Sequence, residues 1–429
     1  MKIKLIKKSY DEVIATPPQK RKKPIKPNIF WRTIMKIAGL PDLIAVRFKC
    51  EKIGMDKLGK HEPCLILMNH SAFIDLEIVP SMLYPKPFNI IATTDSFIGK
   101  GWVMRRIGCV PTKKFVSELS LIKDMKYTLQ KNKCSVVMFP EAGYTFDGKT
   151  TTLPDTLGKL CKMLGVPVVV AITSGAFLRD PLYNNLQKRK VRVSAKMEYL
   201  LSADEVKSMP AEQIQSLIES RFDFDGFKYQ QENKIKINEK FRADCLNRVL
   251  YKCPHCMQEG RMQGKGALLS CPVCGKTYEL DEYGSLAATD GDSRFTHVPD
   301  WFEWERECVR AELEDVKYSV SLPVDICMAI DEKRIYSVGE GVLTHTIEGL
   351  HLTGCDGRLD YLHTPQASYS ICADFNFYEI GDVIAIGNHK AIYYCFPKTE
   401  GDIVAKVRLA AEELYKIVMA QKREKSEKA

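Results

Sequence analysis

Between about residues 62 and 200 the chain repeats one pattern, a short apolar run followed by a segment with helical spacing. Cys64–Met68, Phe88–Ala92, Ser135–Phe139 and Val166–Ile172 are the apolar runs, and 76–83, 118–132 and 154–164 are the helical segments between them. Runs this short, without polar alternation, suit strands covered on both faces, and helices are what cover such strands. Leu164-Gly165-Val166-Pro167 ends one helix and starts the next strand. The pattern predicts an α/β layer.

The flanking segments have other textures. Residues 1–27 hold nine Lys/Arg against Asp11 and Glu12, a local excess of seven within a net charge of +9. Such a basic arm suits a solvated tail, an anionic membrane surface or a nucleic acid. In 28–48, apolar residues at 30, 31, 34, 35, 37 and 38 make a helical stripe, with Arg32 and Lys36 on the other side. That stripe predicts either a core helix or one lying in a membrane interface. Residues 202–245 are polar and helical, and close a first domain of 28–245. Asp300-Trp301-Phe302-Glu303 resembles a capping box that opens a helix running to about Val316, within a connecting segment 286–316. From Tyr318, β-rich runs follow at 318–323, 325–330, 342–346, 358–362, 368–373, 376–380, 382–386 and 391–396, then an amphipathic helix over 402–421 and a charged tail, 423–429. The stretch 317–422 therefore reads as a small barrel or sandwich with a terminal helix. Its order of elements is similar to pleckstrin-homology-like domains.

No run of 18 apolar residues is present, so no conventional transmembrane helix is expected, and no apolar segment of a signal peptide follows the basic start. Fifteen cysteines, an odd and scattered set, point to reduced thiols and a cytoplasmic setting. Four of them stand apart. Cys253-x2-Cys256 and Cys271-x2-Cys274 are two knuckles at zinc-ribbon spacing, over 246–285. Four thiolates close a tetrahedron and leave no open position, so the zinc they imply is structural. His255, inside a knuckle, is not counted as a ligand.

Two strings carry candidate chemistry. Leu67-Met68-Asn69-His70-Ser71-Ala72-Phe73-Ile74-Asp75 sets a histidine and a carboxylate five residues apart after an apolar run. Val136-Val137-Met138-Phe139-Pro140-Glu141-Ala142-Gly143 ends another run with an acid at a small-residue turn. A neutral imidazole oriented by a carboxylate can take a proton from a hydroxyl near pH 7. Ser71 is a poor nucleophile candidate, because adjacent side chains diverge and no G-x-S-x-G elbow is present.

Four blocks follow one another in order: His70 to Asp75, Gly101 to Lys114, Phe139 to Gly143, and Gly165 to Val170. Over roughly 30–200 the chain thereby resembles the glycerolipid (lysophospholipid) acyltransferase family, whose type member is 1-acylglycerol-3-phosphate O-acyltransferase. The resemblance implies that His70 is the general base and Asp75 its orienting acid. It implies that Lys113, Lys114, Glu141 and Gly143 bind substrate. The donor it implies is an acyl thioester, on CoA or acyl carrier protein, and the acceptor a lysophospholipid or related glycerolipid. The family motif F-P-E-G-T-R reads Phe139-Pro140-Glu141-Ala142-Gly143-Tyr144 here, so Tyr144 stands where the phosphate-binding arginine belongs. Arg105, Arg106 and Arg179 are the candidates to replace it. The enzyme so implied works peripherally at the inner face of the cell membrane. The alternatives are a zinc-ribbon nucleic-acid-binding protein, disfavoured by a ribbon that is only mildly basic, and a docking scaffold on an inactive acyltransferase fold.

Overall fold

The computed structural model of the chain describes residues 3–17, 19–116, 118–399 and 401–427. Lys2 of the basic arm and the end of the 423–429 tail lie outside the described residues. The rest of the arm is not a free tail. Strand β1 (Ile6–Lys7) pairs with a strand of the C-terminal sheet more than 300 residues away, at Tyr336 and Ser337. Helix α1 (Tyr10–Ile14) buries Val13 fully, and Arg21 pairs with Asp124 at 2.8 Å. The arm's apolar residues decide this, since they supply the burial that its charges alone would not.

Helix α2 (Ile29–Ala45) leads into a seven-stranded sheet. Its elements are β2 (Lys49–Ile53), β3 (Leu65–Met68), α3 (Asp75–Leu83), β4 (Phe88–Thr93), α4 (Gly101–Arg106), β5 (Cys109–Thr112), α5 (Leu119–Gln130), β6 (Ser135–Met138), α6 (Leu157–Leu164), β7 (Val168–Ser174), α7 (Ala176–Arg179) and β8 (Ser194–Leu201). The strand order is β2-β8-β7-β3-β6-β4-β5, parallel throughout except where β7 meets β8. Strand pleating divides the core in two. Ile66 and Met68 face one layer with Leu43, Ile78 and Val79 beneath α2 and α3, while Leu65 and Leu67 face the other with Met125, Leu157 and Ile218. Helices α8 (Ala203–Ser208), α9 (Ala211–Phe222) and α10 (Gly226–Glu232) follow, but the helical pattern expected to 245 gives way after Glu232 to irregular chain.

Four short antiparallel strands form the ribbon: β9 (Gln263–Lys265), β10 (Leu268–Ser270), β11 (Thr277–Leu280) and β12 (Leu286–Ala288). Helix α11 (Val298–Glu314) starts earlier than the expected capping box. His297 is its cap, and Pro299 in the first turn fixes the start because the nitrogen there needs no hydrogen-bond partner. Asp300 instead meets the His297 ring at 3.2 Å.

The C-terminal sheet contains β13 (Val320–Ala329), β14 (Tyr336–Thr346), β15 (Gly349–Gly354), β16 (Leu359–His363), β17 (Cys372–Phe377), β18 (Gly381–Gly387) and β19 (Ile392–Pro397). Their order is β16-β15-β14-β13-β19-β18-β17, antiparallel between neighbours, and α12 (Val404–Glu427) packs on it and on α11. The runs 318–323 and 325–330 are one strand through Pro323. That residue's carbonyl accepts from the Lys398 amide at 2.9 Å, so its nitrogen is turned to the side where β19 ends, and the N–H it lacks costs the ladder a bond only at that margin. Strand β15 was not expected, since glycines at both of its ends obscure a six-residue run. The expected runs 368–373 and 376–380 are not two strands, since β17 takes the end of one and the start of the other and residues 378–380 form the turn into β18. A β-rich C-terminal region with a terminal helix is as the sequence predicts.

The ribbon is not a separate bead. Cys253, Cys271, Tyr278 and Trp301 share one core with Phe146 and Tyr183 on one side and Val324, Tyr393 and Leu409 on the other. The sequence gives this wedge no local signal, because each partner is supplied by a distant segment.

Candidate active site

The central strand β3 delivers His70 at its C-terminal end, where ligands of parallel sheets are commonly held. Two neighbours fix its backbone and a third fixes the residue before it. The His70 amide donates to Glu141 Oε1 at 2.9 Å, its carbonyl accepts from Thr145 N at 3.2 Å, and Asn69 N bonds Ala171 O at 3.3 Å. Asp75 opens α3 and reaches back over the preceding turn. Its Oδ2 accepts from Ser71 N at 2.7 Å, Ala72 N at 3.0 Å and His70 Nδ1 at 3.2 Å. Five residues is thus the length of the turn that the carboxylate closes on itself. Asp75 is fully buried, and these donors, with Thr173 Oγ1 at 3.4 Å from Oδ1, compensate its charge.

A proton on Nδ1 toward Asp75 leaves the Nε2 lone pair available, and no described residue hydrogen-bonds to Nε2. Burial depresses the His70 pKa, against the hydrogen bond and charge of Asp75, and Lys114 adds to the depression. The ring is sandwiched by Phe139, stacked at 4.2 Å between centroids, and Tyr144, tilted at 4.4 Å, with its side chain 18% exposed. A neutral, oriented, reachable imidazole can accept a proton from an alcohol.

Glu141 is buried beside the His70 backbone. Besides the His70 amide it accepts from Thr151 N at 2.8 Å and Thr151 Oγ1 at 3.0 Å, yet burial pushes its pKa up to about 7. It therefore braces the histidine's backbone. At Gly143 an added Cβ would meet nothing within 4 Å, so the space beside it is open, and the left-handed backbone of this turn falls on Ala142 (φ 55°) instead.

The basic block divides. Lys113 donates to the carbonyl of His389 in the turn between β18 and β19, whereas Lys114 makes no ion pair or hydrogen bond with a described residue, and its charge adds to the depression of the His70 pKa. Two of the candidate replacements for the missing arginine are engaged elsewhere. Arg105 forks onto Glu332 at 2.6 and 2.8 Å, and Arg179 is held by Asp42 at 2.9 Å and Asp180 at 3.1 Å, whereas Arg106 is exposed and lies over the Trp102 ring.

Sequence reasoning missed what the C-terminal half brings. Arg408 of α12 points to Tyr144 O at 3.5 Å, with its charge paired to Glu412 at 3.0 Å. Tyr369 donates to Pro140 O at 3.0 Å, and Tyr378 to Asp95 Oδ2 at 2.9 Å. No short motif marks these residues, which lie more than 220 positions from their partners.

The four ribbon cysteines also converge. Their sulfurs all lie within 4.8 Å of one another, with Cys253–Cys274 and Cys256–Cys271 each at 3.7 Å. Tetrahedral Zn–S bonds of about 2.3 Å require sulfurs about 3.8 Å apart, so the donor set and its spacing fit zinc.

Residues 49–173 match the family model described as Acyltransferase. The chloroplastic 1-acyl-sn-glycerol-3-phosphate acyltransferase BAT2 of Brassica napus is 28% identical over 127 residues, covering 28% of this chain and 36% of that protein. The chain thus spans about a third of the length of this curated relative. The crystal structure of the 1-acyl-sn-glycerophosphate (LPA) acyltransferase PlsC from Thermotoga maritima aligns with a TM-score of 0.35 and 16% identity, over 44% of this chain and 76% of that one.

Proposed function

With an acyltransferase-family domain over residues 49–173 as its premise, we propose that this chain is an O-acyltransferase that moves a fatty acyl group from a thioester to a hydroxyl of a lysophospholipid or related glycerolipid. The observation that carries this reading is the His70–Asp75 pair, with Nδ1 fixed and Nε2 open at the end of the central strand. His70 takes the proton of the acceptor hydroxyl as its oxygen bonds to the thioester carbonyl carbon. The carbon–sulfur bond then breaks, and the imidazolium returns the proton to the leaving thiolate. Asp75 holds the ring and stabilises the imidazolium. Backbone N–H groups of a neighbouring loop would stabilise the tetrahedral oxyanion.

The donor is acyl-CoA or acyl-acyl carrier protein. Incubating the full chain with each donor and a panel of lysolipid acceptors, followed by product mass, is the direct test. The expected result is thiol release matched by an acylated acceptor; thiol release without such a product would overturn the reading. The cysteine cluster holds a structural zinc that takes no part in this chemistry. The domain limits implied are a basic arm 1–27, an acyltransferase domain 28–245, a ribbon 246–285, a connecting segment 286–316 and a β-rich domain 317–422. The strand order and terminal helix of the last support its pleckstrin-homology-like assignment.

The enzyme works peripherally on a membrane, at its inner, cytoplasmic face. No described helix is long and apolar enough to cross one. Helix α2, however, is turned inside out relative to a core helix. Ile29, Phe30, Ile34, Ile37 and Ile44 are exposed, while Lys36 packs over Tyr84 and Arg32 donates to Pro85 O. The exposed Trp102 of α4 meets Trp31 edge-on at 5.6 Å, and Phe73, three residues past His70, is also exposed. These side chains would dip into lipid beside the site. A large apolar side chain contributes about 1.5–3 kcal/mol when fully buried. Replacing Phe30, Ile37 and Ile44 together by serine is therefore expected to cut co-sedimentation with phosphatidylcholine/phosphatidylglycerol vesicles by at least about tenfold; unchanged partitioning would refute membrane docking through α2.

A further inference from the structure

The loop that covers His70 is held from far along the chain. It runs from Phe139 to Thr145, with the Phe139 and Tyr144 rings on the imidazole, the Glu141 carboxylate on the His70 amide and the Thr145 amide on the His70 carbonyl. Its middle carries left-handed backbone at Ala142 (φ 55°). A non-glycine residue keeps that conformation only where surrounding contacts enforce it. Carbonyls on either side of Ala142 are both taken by the C-terminal half. Tyr369, in the loop between β16 and β17, donates to Pro140 O at 3.0 Å and lies edge-on to Phe115 at 5.4 Å. Arg408 of α12 reaches Tyr144 O at 3.5 Å and lies over the Phe146 ring at 4.5 Å.

One buried carboxylate ties these holds together. Glu412 of α12 is 1% exposed. Its Oε1 accepts from Arg408 Nε at 3.0 Å and Ser370 Oγ at 2.8 Å, and its Oε2 meets Arg306 of α11 at 2.9 Å and Thr152 Oγ1 at 3.4 Å. Arg306 is shared with Glu413, which Lys416 also holds at 2.6 Å. Ser370 follows Tyr369 in the chain, and Thr152 follows Thr151, the residue that donates twice to Glu141. The contacts therefore close a ring about the histidine. They run from its amide through Glu141 and the Thr151-Thr152 pair to Glu412, then through Arg408 to the Tyr144 carbonyl, and from the Tyr144 side chain back to the imidazole. Burial opposes the charge on Glu412, but Arg306 and Arg408 hold its pKa down at about 2, so it stays ionised through the range in which an imidazole titrates. A buried network whose members are satisfied in this way is rigid.

We infer that Tyr369 and Arg408, anchored by Glu412, are positioning residues for His70: the C-terminal half fixes the loop whose rings shield and orient the base. Their role rests on the reading of His70 as general base. Burial is the main cause of the lowered His70 pKa, with Asp75 opposing it and Lys114 adding to it. A loosened loop admits water to the ring and lets that pKa rise toward the ordinary 6.5. Glu141, at about 7, titrates in the same range. His70 is therefore followed directly in the full chain, by the Cε1 carbon resonance of isotopically labelled histidine, assigned through its loss in His70→Ala. Tyr369→Phe removes one hydrogen bond and no charge; Arg408→Ala removes the other hold. In both, the His70 midpoint should rise by about 0.5 or more in pH. In both, kcat should fall about tenfold or more while KM for donor and acceptor stays nearly unchanged. A variant that only destabilised the fold would reduce the folded fraction and leave the midpoint of the folded molecules in place. An unchanged midpoint in both variants thus overturns the inference, whatever the activity. So does a rise in Arg408→Ala alone, which would trace to the lost cation. The resonance is read without substrate. Absence of acyl transfer by the unaltered chain would accordingly overturn the acyltransferase reading and leave the hold on His70 to be decided by its midpoint.

Discussion

The expected result of replacing His70 by alanine is a fall in kcat/KM for thioester-dependent acylation of roughly 10²–10⁴-fold, the usual contribution of a positioned general base. Fold and zinc content should be retained, because the His70 backbone is what Glu141 and Thr145 hold, and an alanine keeps that backbone. The pH profile of the unaltered enzyme supplies a second signature. The base must be neutral to take a proton, and burial lowers its pKa below the ordinary 6.5. Activity should therefore be level at neutral pH and decline only as pH falls through a midpoint below 6.5. Asp75→Asn removes the hydrogen bond and the charge that favour the imidazolium. Its midpoint should lie lower still, while kcat falls because the ring loses its fixed tautomer. Measuring kcat/KM from pH 5 to 8 by thiol release decides both. Retention of more than about a tenth of the activity by His70→Ala would remove the histidine from the role of base.

The second large effect concerns the ribbon. Structural zinc in ribbon-sized sites contributes about 10–16 kcal/mol of apparent binding energy, comparable to the about 5–15 kcal/mol that stabilises a whole domain. Cys253 and Cys271 are fully buried, in the same core as Tyr278, Trp301, Val324 and Leu409. Cys271→Ser, or chelation, should thus loosen the wedge between the two large sheets and not the ribbon alone. The expected result is substoichiometric zinc by atomic emission. A thermal midpoint lower by more than about 10 °C, the shift that a loss of about 5 kcal/mol produces in a domain of this size, should accompany it. Indole emission should move to longer wavelength as Trp301, whose Nε1 donates to Lys252 O at 3.0 Å, meets water. Zinc loss with an unchanged midpoint would show that the wedge stands without its metal.

How much of this was legible varies with the range of the interaction. Strands β3, β6 and β7 were readable because each is an apolar run whose two faces are covered, and that requirement is written in consecutive residues. The His70–Asp75 contact was readable because a single turn closes it. The knuckles were readable because each spans four residues. Helix α2 was half readable: its period showed a helix with an apolar stripe, but the same stripe serves a core or a membrane, and only its packing on α3 turned the apolar side outward. The arm's charge left a solvated tail, a membrane surface and a nucleic acid all open, yet Val13 and strand β1 tie it to the C-terminal core and sheet.

By itself the sequence determined the α/β layer, the base with its orienting acid, and the four-cysteine cluster, since periodicity, turn length and ligand spacing are local properties. The tertiary structure alone decided that Lys113 is taken by His389, that Arg105 is bound to Glu332, and that Tyr378 reaches Asp95. These are meetings of residues more than 220 positions apart. Burial of a shared core brings them together, and no local period encodes which surfaces that core will press into contact.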